Sequence, residues 1–189
     1  MKKFATAAAL AAMIALPAFA ESETFTVDPN HTFPIYEVGH LGFSVQRGRF
    51  NKTSGKVTLD EAAKKCGADI TIDAASVSTG VAKLDEHMKS DDFFNVAKNP
   101  NITFKGTDCT FDGAKVKSVK GDLTMNGVTK PVTLTANTFN CGPHPMNKKR
   151  VCGGDFETSV KRSEFGMKYA LPALADDVKL RINVEAMKD

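Results

Sequence analysis

The residues able to do catalytic or metal chemistry are few, and they are scattered along the chain. No two of the four histidines stand four residues apart, the spacing that places two zinc ligands on one helix face. No G-x-S-x-G motif and no reactive-cysteine context supplies a nucleophile. The acidic pairs Asp85-Glu86 and Asp91-Asp92 fit a helix surface and the positive end of a helix dipole better than paired catalytic carboxylates. The sequence therefore predicts no enzyme active site.

Four cysteines are the other candidates for chemistry: Cys66, Cys109, Cys141 and Cys152. They form no C-x-x-C pair, so neither thioredoxin-like exchange nor a common zinc pattern is favoured. An even number of cysteines allows three disulfide pairings in principle. Because the Gly- and Pro-containing segment 142–150 reads as a tight loop, we expect Cys141 to bond to Cys152, and Cys66 then to bond to Cys109.

The first twenty residues are typical of an export signal. They begin with Lys2 and Lys3, continue with an uncharged apolar run over 4–16, and end in a small-x-small cleavage site at 17–20. The alternative, a membrane anchor, needs about 20 apolar residues, and this run is shorter. We expect a mature chain of residues 21–189, without a transmembrane segment, in the periplasm, where cysteines oxidise.

Charge balance and aromatic content limit the classes of partner. Lys and Arg number 25 against 22 Asp and Glu, a net charge of +3, which is too small for a protein that binds nucleic acid by neutralising phosphates. The chain has 13 Phe, two Tyr and no Trp, and a buried Phe needs no polar partner. This inventory indicates a dry, wide interior; the simpler alternative is that Phe fills a solid core.

Apolar and polar residues alternate with period two over most of the chain, as in half-buried β-strands. The alternation is clearest over 178–186. Asp112-Gly113 and Asn126-Gly127 are typical of tight hairpin turns, in which both central residues need positive φ. Antiparallel strands joined by hairpins favour a barrel or sandwich in a single domain. The predicted strands are 24–28, 32–40, 43–60, 66–76, 101–111, 115–125, 131–140, 151–161 and 177–187.

One segment departs from this alternation. Val81, Leu84 and Met88 fall at helical spacing, and Ser90 is typical of the N-cap of a second short helix. We therefore expect helical structure over 81–96.

Five stretches carry a resemblance to a known family. Their sequences include HLGFSV, LDEHMKSDDFF and GDLTMNGVTKPV, and the stretches cover 24–31, 40–45, 84–94, 100–104 and 121–132. On these motifs the chain resembles the YceI-like, polyisoprenoid-binding family of bacterial periplasmic proteins. The helical and Asn-Gly hairpin stretches are the most specific of them.

The resemblance covers essentially all of residues 21–189 and implies an all-β fold with short helices. The implied fold is an extended lipocalin-like antiparallel eight-stranded β-barrel, with the helical segment near 81–96 on one side or end. Its lumen would take the tail of an amphiphile, a polyisoprenoid lipid or an isoprenoid quinone, as a ligand and without a cofactor. Each CH₂ group of the tail that is buried there contributes about 0.8 kcal/mol to the free energy of binding. The four cysteines depart from the plainest members, and we interpret them as added disulfides.

The residues expected to line the lumen are large apolar side chains. Four of them form the expected inner face of the helical segment, and Met side chains adapt to an irregular tail. The alternative for each residue is packing between elements without ligand contact. The full set is Phe33, Ile35, Phe43, Phe50, Ile72, Leu84, Met88, Phe93, Phe94, Phe104, Leu123, Met125, Phe156, Phe165 and Met167.

Three functions remain open. The leading hypothesis is a non-catalytic periplasmic protein that transports, stores or scavenges an isoprenoid-tailed lipid. The alternatives are an accessory protein for quinone-linked electron transfer or head-group chemistry, and a solid-core stress-response interaction protein. The basic cluster at 148–150 is either a solvated loop or a phosphate head-group contact. His31 and His40 are expected to be hydrogen-bonded residues rather than metal ligands, and a homodimer is one option for assembly.

Overall fold

A computed structural model describes residues 22–189. The expected export signal, residues 1–20, lies outside the described residues. Most of the described chain is β-strand, as the period-two alternation predicts. The strands are β1 (Glu23–Val27), β2 (Phe33–His40), β3 (Ser44–Phe50), β4 (Thr53–Asp60), β5 (Lys65–Asp73), β6 (Val77–Ser78), β7 (Asn101–Asp112), β8 (Lys115–Met125), β9 (Val128–Pro143), β10 (Arg150–Lys161) and β11 (Leu174–Lys188).

Eight strands close into an antiparallel barrel in the order β1-β4-β5-β7-β8-β9-β10-β11, and β1 pairs back to β11. The closing contact places Val27 opposite Ala186. The part of β11 that does not pair with β1 pairs with β2. In turn, β2 pairs with β3 and β3 pairs with β6, so the sheet continues past the closed barrel. This extended eight-stranded barrel confirms the fold expected from the sequence.

The turn at 28–32 is hydrogen-bonded to β11, and it allows β1 and β2 to pair with the same edge of that strand. The backbone N–H of Asp28 donates to the carbonyl of Glu185 at 2.9 Å. The buried Thr32 hydroxyl accepts from the Glu185 N–H at 3.1 Å and donates to its carbonyl at 3.2 Å. The turn therefore interrupts the strand while β11 keeps its backbone hydrogen bonds.

The two predicted hairpin turns differ in how many of their expected residues have positive φ. Asn126 and Gly127, between β8 and β9, both have positive φ, 50° and 74°. Between β7 and β8 only Gly113 has positive φ, at 58°, because Asp112 is still the last residue of β7.

The helical segment is shorter than expected. Helix α1 covers Ala82–Lys89, and turns without a second helix follow it. Ser90 ends α1 instead of starting another helix, because its hydroxyl donates to the carbonyl of His87 at 2.8 Å. Two 3₁₀ turns lie at Ala74–Ser76 and Arg162–Phe165. Within residues 22–189, no helix has the length and hydropathy needed to cross a membrane.

Both predicted disulfides form, and they lie at the same end of the barrel, called here the disulfide end. Cys141 and Cys152 are directly opposite each other in the β9–β10 ladder. The Cys66–Cys109 disulfide joins the neighbouring strands β5 and β7. No cysteine within 22–189 is left unbonded. The opposite end, which carries α1 and the β2–β3 turn, is called here the helix end.

Candidate functional site

The barrel encloses a cavity of about 180 Å³, called here the inner cavity, that reaches toward the disulfide end. All eight barrel strands contribute to its wall, because inward-facing residues alternate along each strand. Large members of the wall include Phe104, Leu123 and Phe156, each about seven per cent exposed. No charged side chain lines it among the described residues. The inner cavity is therefore suited to an apolar occupant.

A larger cavity of about 490 Å³, called here the outer cavity, lies at the helix end. Its wall comes from β2, β3, the α1 segment, the end of β8 and the stretch 160–180. Phe50, Met125 and Leu180 line both cavities, so the two adjoin. The outer cavity alone falls within the roughly 300–1,000 Å³ typical of ligand pockets.

Three aromatic rings meet beside this boundary. The rings of Phe50 and Phe94 lie edge to face with centroids 5.2 Å apart, and Tyr36 lies 6.3 Å from Phe50 and 6.4 Å from Phe94. All three side chains are buried. A side-chain rotation of Phe50 would therefore change the wall that the two cavities share.

The polar groups of the site are confined to the outer cavity, apart from threonines in the inner one. His40, Arg47, His87 and Arg162 line the outer cavity, and no Asp or Glu does so among the described residues. Two of the four already contact a carboxylate: Arg47 donates to Glu37 at 3.0 Å, and His87 lies 2.8 Å from Asp92. Arg162 is buried, and its guanidinium donates to the carbonyls of Met167, Leu174 and Ala175 at 2.8–3.0 Å. The outer cavity therefore offers donors and positive charge to a polar group.

Tyr36 supplies a neutral hydroxyl to the outer cavity. Burial, with a smaller contribution from the negative charge of Asp85, raises the pKa of Tyr36 to about 12. The phenol therefore stays protonated over the physiological pH range and remains a hydrogen-bond donor.

The inner cavity contains one polar atom without a partner. Thr53 is three per cent exposed, and its hydroxyl forms no hydrogen bond with the described part of the chain. Thr32, on the same wall, differs because the backbone of Glu185 satisfies its hydroxyl.

Most residues expected to line the lumen lie on the wall of one of the two cavities. The predicted strands and helical segment present them inward, as the alternation requires. Those on a cavity wall are Phe50, Ile72, Leu84, Met88, Phe93, Phe94, Phe104, Leu123, Met125, Phe156 and Met167.

The inward placement expected of Phe33 and Ile35 is corrected by the structure. Both lie on the outer face of β2, and the guanidinium of Arg49 stands 4.5 Å from the Phe33 ring centroid. Pro34 and Tyr36 take the inward positions. Because β2 carries apolar residues on both faces, its alternation does not identify the inner one.

Phe43 and Phe165 also line neither cavity. Phe43 is 90% exposed in the β2–β3 turn. Phe165 is one per cent exposed but lies within a 3₁₀ turn, where the Asn126 side chain donates to its carbonyl at 3.0 Å. Phe165 is therefore part of the solid core.

Sequence reasoning missed two groups of lining residues. Leu180, Ile182 and Val184 line the inner cavity from β11, and their alternation marked an apolar face without showing that it meets a void. Arg162 and Tyr169 join the outer cavity from outside the strands, and no local pattern marks them.

The basic cluster and His31 lie away from the outer cavity, whereas His40 and His87 line it. The 148–150 segment is at the disulfide end, where Arg150 pairs with Glu23 at 3.2 Å, so it does not face the outer cavity. His31 and His40 stand at opposite ends of β2 and do not meet. His31 instead pairs with Asp28 at 2.7 Å, and this carboxylate raises the pKa of His31.

A protein-family model and two relatives match most of the chain. The YceI-like domain model matches residues 25–186. The chain is 36% identical to a UPF0312 protein of Pseudomonas aeruginosa over 100% of this chain and 99% of the relative. It is 40% identical to protein YceI of Escherichia coli over 84% of this chain and 82% of the relative.

Solved structures share the fold. The Campylobacter jejuni YceI protein superposes with a TM-score of 0.68 and 30% identity, covering 80% of this chain and 90% of that one. A polyisoprenoid binding domain from Saccharophagus degradans superposes with a TM-score of 0.63 and 14% identity, covering 87% and 98%. The family match over nearly all described residues and the 36% and 40% identities to these relatives establish that the chain belongs to the YceI-like family.

Proposed function

We propose that the protein holds an isoprenoid-tailed lipid in its barrel and carries, stores or scavenges it in the periplasm, without catalysis. The observation that supports this most is the division of the lumen. The inner cavity is apolar, whereas the polar groups gather in the adjoining outer cavity. This division matches an amphiphile with a water-insoluble tail and a polar head.

The energetics favour such a ligand. Each tail CH₂ moved from water into the barrel contributes about 0.8 kcal/mol, so a few isoprene units supply most of a useful affinity. The Saccharophagus degradans neighbour is described as a polyisoprenoid binding domain. Two disulfides within the described chain are in keeping with an exported protein.

Two head groups fit the outer cavity. The protonated Tyr36 hydroxyl suits a quinone carbonyl, and the buried guanidinium of Arg162, together with His40, suits a polyprenyl phosphate. The two cavities argue against the solid-core alternative. An accessory role in quinone-linked electron transfer would use the same lumen with a quinone as its occupant.

The test is organic extraction and mass spectrometry of protein purified gently from its native compartment. We expect stoichiometric isoprenoid lipid, and the mass of its head group decides between quinone and phosphate. Ala68, on the inner wall, provides a blocking variant: Ala68→Phe should lose the lipid. Ala62→Phe, at an exposed turn, is the matched control and should retain it. Wild-type protein that yields no stoichiometric lipid would contradict the proposal.

A further inference from the structure

Exposed apolar side chains from three segments lie at the helix end. Leu41, Phe43, Val45, Val81, Leu84 and Tyr169 are called here the apolar rim. They come from three separate segments: the β2–β3 hairpin, the start of α1 and the stretch before β11. Phe43 is 90% exposed and Val81 57%. Such a concentration of exposed apolar residues marks an interaction surface.

The apolar rim is continuous with the outer cavity. Leu41, Val81, Leu84 and Tyr169 are both exposed and on the cavity wall, so the rim forms its mouth. Among the described residues, Met146 is the one other exposed large hydrophobic side chain, and it lies at the disulfide end. Apolar exposure is therefore directed to the end where the lumen opens.

The β2–β3 turn holds Phe43 in its outward position. The Leu41 N–H donates to the carbonyl of Ala173 at 2.8 Å, and the Phe43 N–H donates to the carbonyl of His40 at 3.0 Å. Leu41 and Gly42 have φ of 53° and 74°. A Cβ on Gly42 would meet nothing within 4 Å, so open space surrounds the turn. The aromatic ring projects from a fixed backbone into solvent.

Basic residues accompany the rim. Lys83 lies between Val81 and Leu84, and Lys168 precedes Tyr169. Neither ammonium group has an ion-pair partner within residues 22–189. Among the carboxylates beside Lys83, Glu86 pairs with Lys89 and Asp92 contacts His87, Asp85 accepts hydrogen bonds from Thr79, and Asp91 forms no ion pair with the described residues. A positive charge beside exposed apolar tips is the combination that binds anionic lipid surfaces.

We propose that the apolar rim docks on an anionic phospholipid bilayer, with Phe43 inserted below the head groups and Lys83 and Lys168 at their level. Separate loop tips that protrude suit a fluid bilayer, which deforms around them. The half-exposed Tyr169 is a residue type enriched at membrane interfaces. The inference rests on the proposed function, since docking brings the mouth of the lumen to the source or destination of its lipid.

The absence of Trp from the chain allows a direct test. Phe43→Trp creates a single reporter at the rim, and Met146→Trp creates the matched reporter at the disulfide end. With vesicles of equimolar phosphatidylethanolamine and phosphatidylglycerol, we expect the rim reporter to shift to shorter emission wavelengths and to be quenched by brominated lipid. The control reporter should do neither. Absence of both changes at the rim, or equal changes at both reporters, would overturn the proposal.

Charged variants measure the contribution of each part. Phe43→Asp should weaken vesicle partitioning by about tenfold or more, because one buried Phe contributes about 1.5–3 kcal/mol. Lys83→Glu combined with Lys168→Glu should weaken binding to vesicles that contain phosphatidylglycerol and should reduce its salt dependence. Met146→Asp is the control and should bind as the wild type does. Unchanged partitioning of Phe43→Asp would contradict the proposal.

Two further readouts separate the possible outcomes. In the first, the emission of the Phe43→Trp reporter shifts to shorter wavelengths without vesicles, as the protein concentration is raised. That result would show that a second copy covers the rim and would overturn membrane docking. Failure of the proposed function is distinct, because it appears as no lipid in extracts of the wild-type protein, whatever the vesicles show. Phe43→Asp that is loaded with lipid from detergent should retain that lipid as the wild type does, since Phe43 lines neither cavity.

Discussion

The ring of Tyr36 lies across the backbone of Gly48, its directly opposite residue in the β2–β3 ladder. A Cβ on Gly48 would stand 2.7 Å from Cε1 of the ring and closer still to Cζ and the hydroxyl. Only a residue without a side chain therefore lets the ring lie flat on β3. This contact sets the position of the Tyr36 hydroxyl on the outer cavity wall.

Replacing Gly48 tests this contact. Gly48→Ala should lower the free energy of unfolding by about 1–3 kcal/mol, because the added methyl group displaces the Tyr36 ring from a packed wall. Urea unfolding followed by circular dichroism measures the change. Gly142→Ala is the matched control, since a Cβ there meets nothing within 4 Å and the variant should be nearly neutral. Equal effects of the two changes would contradict the contact.

The pKa of Tyr36 should lie well above that of an ordinary tyrosine. Burial raises its pKa from 10.0 to about 12, so the unfolded chain ionises this phenol first. Stability attributable to Tyr36 is therefore fully present below pH 10 and is lost as the pH rises from there toward the folded pKa. Tyrosinate absorbance in a Tyr169→Phe variant, which leaves Tyr36 as the one tyrosine, should show a midpoint near 12. A midpoint near 10 would place the hydroxyl in water.

The sequence predicts the barrel well because its signal is local. Each strand that separates the lumen from solvent must alternate, and the Asn126-Gly127 turn needs positive φ at both positions, as the structure has it. The Cys141–Cys152 bond follows from a short loop between paired strands. These features depend on neighbours along the chain or across one turn.

The candidate site is predicted less well, because its parts come together only in three dimensions. β2 is apolar on both faces, so Phe33 and Ile35 appeared equivalent to the inward Pro34 and Tyr36 until the pairing with β11 fixed the register. Arg162 reaches the outer cavity from a 3₁₀ turn after β10. No local pattern shows that its charge is buried against three carbonyls.

The protein should become more stable when the Thr53 hydroxyl is removed. The buried Thr53 hydroxyl has no partner in the described chain, and leaving such a group unpaired costs about 1–3 kcal/mol. Thr53→Val should therefore raise the free energy of unfolding of lipid-free protein by about 1 kcal/mol. Thr32→Val is the matched control of opposite sign, because Thr32 is hydrogen-bonded to both backbone groups of Glu185. A loss of stability in both variants would show that Thr53 has a partner, such as an internal water.

The two disulfides should contribute unequally, in the order of the chain segments they close. Cys66–Cys109 spans 43 residues and Cys141–Cys152 spans 11. The chain-entropy model assigns about 4 kcal/mol to the longer loop and about 3 kcal/mol to the shorter. Replacing each pair with alanine and measuring urea unfolding should give these losses, with the larger one for Cys66 and Cys109. Both pairs lie at the disulfide end, away from the apolar rim, so vesicle partitioning should be unchanged while each variant remains folded. A larger loss from the Cys141–Cys152 pair would mean that packing at this end of the barrel, and not loop closure, decides what these bonds contribute.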